Sequence, residues 1–133
     1  MNKWMKEIKV LEPVLLEEYD VRCANYLTYA QISQIVKAVA NIDDWAERNT
    51  VTDMLILAHA TDVDKKTLAE IGHEKLQMSG LIDDVKTTIC NMYELETAID
   101  QARSLEHNFS LVLKNLTPKI TEWVSKLAES KKR

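Results

Sequence analysis

The chain is short of the two residues that bend and break backbones. Its 133 residues include two Gly, Gly72 and Gly80, and two Pro, Pro13 and Pro118. Ordinary usage would give about nine Gly and six or seven Pro at this length. Neither a P-loop nor a dinucleotide-binding turn can be built, because each needs several Gly close together. A many-stranded sandwich is disfavoured as well. Its tight hairpins draw on Gly, Asn-Gly or Asp-Gly, and no such dipeptide occurs.

Other signatures are missing too. There is no HExxH, Cys-x-x-Cys or Gly-x-Ser-x-Gly, and so no motif for a zinc hydrolase, a redox pair or a serine nucleophile. The two cysteines, Cys23 and Cys90, are far apart and read as a pair of buried thiols, with a disulfide between them as the open alternative. The longest apolar run, residues 54–58, is far below the ~20 residues needed to span a bilayer. The start, MNKWMKEIKV, is interrupted by charge every few positions and does not form a signal peptide. The expectation is therefore a cytoplasmic protein with no membrane association.

What the chain does contain is globular in proportion. Hydrophobic residues make up 46% and charged residues 29%, which is close to ordinary domains and far from disorder. The length fits one domain, 1–133. The net charge of −4 is unevenly spread. Residues 10–113 carry eighteen Asp/Glu against eight Lys/Arg, whereas residues 114–133 carry six Lys/Arg against two Glu. An acidic body disfavours general nucleic-acid binding, which needs a basic face to displace counterions from phosphate.

Periodicity predicts helices almost throughout. Trp4, Met5, Ile8 and Leu11 recur at helical spacing, with a strand over residues 6–11 as the alternative. Pro13 suits the first position of a next helix through Val14, Leu15, Leu16 and Tyr19. Thr28 and Gln31 form a capping-box pattern ahead of Ile32, Ile35, Val36 and Val39. Asp43 or Asp44 can cap a helix holding Trp45, expected to anchor the core, and the run Met54-Leu55-Ile56-Leu57-Ala58. Five adjacent apolar residues point all round a helix, so this helix is expected to be central. A turn at residues 61–64 precedes a helix through Leu68, Ile71 and Leu76, with Gly72 inside it. Gly80 would end that helix at positive φ. A short helix follows to about Cys90, and Asn91 with Glu94 offers a further cap.

The last segment is the most regular. Leu95, Ala98, Ala102, Leu105, Phe109, Val112 and Leu116 are spaced 3, 4, 3, 4, 3, 4, a heptad pattern over three repeats. Thr117-Pro118 is expected to break or kink this helix. Ile120, Trp123, Val124 and Leu127 then resume an apolar face. The stripe either packs inside its own bundle or is shared with another subunit. Leu105, Phe109, Val112, Leu116 and Trp123 are the candidate interface.

Two pairs merit weighing as chemistry. Glu70 and His73 match half of a four-helix di-iron site, but no second Glu-x-x-His exists, so an exposed helix surface is the simpler reading. His59 and Asp62 lie one turn apart and have the residue types for acid–base work. A hydrogen-bonded structural pair explains them more simply. Asp43-Asp44 and Asp83-Asp84 lie near helix starts, where capping accounts for them. No catalytic, cofactor-binding or metal-binding residues are assigned, and no cofactor or small-molecule substrate is expected.

One set of positions looks familiar. Thr52-Asp53-Met54-Leu55-Ile56-Leu57, Ala60-Thr61-Asp62, Ser79-Gly80-Leu81-Ile82-Asp83-Asp84-Val85 and Glu94-Leu95 together resemble small helical proteins encoded by tailed phages and prophages of Gram-positive bacteria. Genes for those proteins commonly lie among head and tail morphogenesis genes. The resemblance covers roughly residues 50–100. It implies a non-enzymatic tail-assembly chaperone or head–tail accessory protein, located in the host cytoplasm or in the virion. The alternatives are a small nucleic-acid-binding regulator and an inhibitor of a host protein. The fold expected is a single all-α bundle of six or seven helices with a long C-terminal helix.

Overall fold

The computed structural model describes residues 12–131, and at positions 106, 109, 110, 112–121 and 129–131 the backbone alone. Trp4 and the proposed first helix lie outside the described residues. The described chain is mostly helical, with one small sheet. Its elements are β1 (Val14–Leu16), β2 (Val21–Cys23), α1 (Tyr29–Val39), α2 (Trp45–Ala60), α3 (Lys65–Ile71), α4 (His73–Ser79), α5 (Leu81–Thr88) and α6 (Met92–Lys131). Contacts group the described residues into two compact units, divided between residues 99 and 100.

The sheet corrects the all-α expectation. Val14, Leu15 and Leu16 pair antiparallel with Cys23, Arg22 and Val21, where the apolar pattern after Pro13 predicts a helix. The absence of Asn-Gly does not forbid this hairpin. Its loop is four residues long, and Asp20 takes the left-handed conformation at φ 51°. Asp tolerates that region better than most side chains do. Pro13 stands just before β1, where its missing N–H breaks no ladder. β2 shows strand alternation: Val21 and Cys23 are buried and Arg22 is exposed. Its other edge is covered by the end of α2. The Ala24 N–H donates to the Ala60 carbonyl at 2.6 Å, and the Asp62 N–H to the Arg22 carbonyl at 3.2 Å.

The helix starts follow local side-chain chemistry. Thr28 and Gln31 complete a capping box at α1. Asp44 accepts from the Glu47 N–H at α2, and Asp64 from the Lys66 N–H at α3. Each satisfies an N–H that has no partner inside the helix. α2 is the hub of the first unit, packing on α1, α3, α4 and α5. Ile56 and Leu57 are fully enclosed there, and Met54 and Leu55 pack against the same core. Trp45 is not part of that core. It is 69% exposed, because it is the first residue of α2 and precedes the packed turns.

Two glycines punctuate the middle of the chain. Gly80 ends α4 at φ 86°, ψ −2°, the left-handed position expected of it. Gly72 is not inside a helix. It stands between α3 and α4 at φ 86°, ψ 153°, a region essentially reserved for Gly. Close helix packing is not the reason, since nothing lies within 4 Å of where its Cβ would be. Gly72→Ala is therefore expected to destabilise the fold by about 1–3 kcal/mol through backbone strain alone. Urea unfolding should show a lower midpoint with an unchanged slope.

In the first unit, Leu95 and Ile99 at the start of α6 are buried in the core. The backbone at Thr117-Pro118 is helical, where the sequence predicts a break or a kink. In the second unit, Lys126 and Glu122 form an exposed i,i+4 ion pair at 3.3 Å. No helix among the described residues is long and apolar enough to cross a membrane.

Candidate functional site

Side chains from two helices converge on Asp53, which a third carries. It lies in the middle of α2 and is only 8% exposed. His73, the first residue of α4, brings its Nε2 to 2.9 Å from Asp53 Oδ2. Lys86, on α5, places its Nζ against Asp53 Oδ1. Gly72 makes this possible: its φ of 86° turns the chain so that α4 starts with His73 facing α2. Both carboxylate oxygens are thus engaged, one by each cation-forming group. A carboxylate held in this way is a clamp joining α2, α4 and α5.

This arrangement also changes the reading of Glu70 and His73. The Gly72 break places them on separate helices, α3 and α4, so they do not share a helix face. Glu70 is exposed, while His73 is half-buried against Asp53. Among the described residues, no group of three or more His, Cys, Asp or Glu side chains is placed to hold a metal ion.

No hydrogen bond joins the side chains of His59 and Asp62 among the contacts described; Asp62 serves the backbone. Asp62 Oδ1 accepts from the Arg22 N–H at 3.1 Å, tying β2 to the end of α2. The His59 carbonyl accepts from Gln31 Nε2 at 3.2 Å. Burial holds the His59 imidazole below its ordinary pKa, with Lys65 adding to the effect.

Asn91 is a second polar group inside the core. Its Oδ1 accepts from the Leu27 N–H at 2.8 Å, and its Nδ2 donates to the Leu27 carbonyl at 2.8 Å and to Glu94 Oε2 at 3.0 Å. Asn91 and Glu94 do touch, but not as the expected cap: the Oδ1 that would accept from the Glu94 N–H is taken by the Leu27 N–H, a residue 64 positions away. The cysteines differ from each other and from the expected buried pair. Both are free; Cys23 is buried, its thiol pKa raised by burial, and Cys90 is exposed.

The hairpin loop forms one wall of an open depression of ≈ 400 Å³, lined by Leu15, Leu16, Glu17, Glu18, Tyr19 and Asp84. The Tyr19 hydroxyl lies 2.9 Å from Asp84 Oδ2 and 3.0 Å from the Ser79 carbonyl. Asp84 therefore anchors the hairpin on α5, where adjacent acids suggested helix capping. The hydrogen bond to Asp84 is the main cause that pushes the Tyr19 phenol up to about 12, and desolvation and the Asp84 charge add to it. The folded state then holds this proton where the unfolded chain, with its ordinary value near 10, releases it. Stability from this contact is present below pH ~10 and is lost as pH rises toward 12. Tyrosinate absorbance should show one late titration near 12, absent in Tyr19→Phe.

The predicted interface residues all lie on α6. Leu105 is 70% exposed and Trp123 63% exposed. Phe109, Val112 and Leu116 lie where side chains are outside the described residues. Leu111, Val124 and Leu127 are also exposed. Comparison with family models, curated proteins and solved structures matches none of them to this chain.

Proposed function

We propose that this chain is a non-enzymatic protein–protein interaction protein whose long C-terminal helix is the binding element. The observation that carries the proposal is the exposure of Leu105 and Trp123 on α6. Large side chains are costly to leave in water, and a row of them marks a surface that is covered in use.

Within that class, the phage-like pattern in residues 50–100 points to tail assembly or head–tail joining. The protein would act by holding an apolar helix face against a virion component before or during assembly. The test begins with the flanking genes. Capsid or tail genes are expected there, and one of their products should form a defined complex with this chain on co-expression. Leu105→Glu combined with Trp123→Glu should abolish that complex while helix content stays intact. Absence of a complex with every flanking gene product would overturn the proposal.

A further inference from the structure

The β1–β2 hairpin is held unequally at its two ends. Its base is tied into the first unit by backbone bonds. The Ala24 N–H donates to the Ala60 carbonyl, the Asp62 N–H to the Arg22 carbonyl, and the Cys90 N–H to the Asn25 carbonyl at 2.8 Å. Asp62 Oδ1 adds a further bond by accepting from the Arg22 N–H. The tip reaches the helices through one polar group among the described contacts, the Tyr19 hydroxyl. A hydroxyl has a single proton to donate. This one faces two acceptors, Asp84 Oδ2 at 2.9 Å and the Ser79 carbonyl at 3.0 Å, and serves one at a time. The hydroxyl also stands 3.1 Å from where a Cβ on Gly80 would lie, so it rests on the corner between α4 and α5.

Charge opposes this docking. Glu17 and Glu18 on the loop and Asp84 on α5 line the same depression, and no basic side chain is among the described residues that line it. Arg22, the exposed base of the hairpin, lies on β2 opposite Leu15, away from the tip. Lys86 on α5 is engaged by Asp53. What holds the tip down is the Tyr19 proton, together with the packing of Leu16 and the Tyr19 ring against the core. We infer that the hairpin is a flap that opens at its tip while its base stays closed, and that ionic strength sets how often it opens. Low salt leaves the carboxylates to repel one another and favours the open form; added salt screens them and closes the flap. Opening lifts Leu16 and Tyr19 from the core and uncovers the Ser79–Gly80 corner. The flap lies wholly in the first unit, so the inference does not depend on the reading of α6 as a binding element.

Relaxation-dispersion NMR on the full chain reads such opening on the μs–ms timescale. In about 10 mM salt charges act over ~30 Å, and in about 1 M salt over ~3 Å. Exchange is expected at Leu16, Tyr19 and Gly80 in the low-salt sample, not at Ala24 or Asp62, and should fade as salt rises. Tyr19→Phe keeps the ring and removes the proton. It should raise the open population about fivefold, the scale of one net hydrogen bond. Glu17→Gln with Glu18→Gln should lower that population and flatten its salt dependence. Flat profiles at Leu16, position 19 and Gly80 in both the native chain and Tyr19→Phe would overturn the inference. So would exchange spread equally to Ala24 and Asp62, since the base would then move with the tip. A salt response unchanged in the double Gln variant would also overturn it, because charge on the loop would not be what opens the flap.

Discussion

Asn91→Ala is expected to destabilise the protein by about 3 kcal/mol, the largest effect of any single truncation considered. The reason lies in the partner left behind. Leu27 is fully buried, and its N–H and carbonyl both bond to the Asn91 amide at 2.8 Å. Removing the amide strands both groups away from water. An unsatisfied buried polar group costs about 1–3 kcal/mol, and here there are two. Against a typical total stability of 5–15 kcal/mol this is a large fraction. Asn91→Asp should do no better near neutral pH. It keeps an acceptor for the Leu27 N–H, but it turns a carboxylate toward the Leu27 carbonyl and Glu94. Asn49→Ala, at an exposed position on α2, should stay within ~0.5 kcal/mol as a control. Chemical denaturation measures the total. Hydrogen exchange at the Leu27 amide locates it, since that proton should lose protection first. An unchanged midpoint and an unchanged Leu27 amide would refute the assignment.

Asp53→Ala is expected to follow at about 2 kcal/mol. Breaking a buried ion pair by removing one partner costs roughly 3–5 kcal/mol where the remaining charge is trapped. Lys86 keeps over a third of its side chain exposed, so it can turn to solvent, and the expected loss is smaller. His73 is the less exposed partner and forfeits its contact across α2 and α4. Lys86→Met should cost under ~1 kcal/mol, because the carboxylate keeps His73. The pairing of Asp53→Leu with Lys86→Met should recover part of the loss, since an apolar pair replaces both charges while His73 stays without its carboxylate. A double-mutant cycle in urea measures the coupling. Strict additivity would show that the two side chains do not act together.

These two sites show what a local pattern can and cannot reveal. Thr28 with Gln31, Asp44 and Asp64 are legible as caps because each acts on an N–H two or three residues away. Gly80 is legible for the same reason: a helix stop needs a positive φ, and only a neighbouring residue can supply it. The apolar run in α2 identifies the hub without any knowledge of its partners. Gly72 is harder. Its composition signal is the same as that of Gly80, but the continuing apolar spacing of Leu68, Ile71 and Leu76 hides a break between two helices of seven residues each.

The amino-acid sequence by itself determined the mostly helical class, the caps at Thr28 and Asp44, and the central helix. All of these arise from interactions within one or two turns of chain. Tertiary structure decided the rest. It made Val14–Leu16 a strand, because β2 and the end of α2 offered backbone partners that a local pattern does not encode. It turned Asp53 inward to His73 and Lys86, which are 20 and 33 positions away, and it spent Asn91 on Leu27. It left Trp45 in solvent although its size suits a core. The physical reason is common to all four: whether a group is paired, buried or left in solvent depends on partners distant in sequence that only folding brings near.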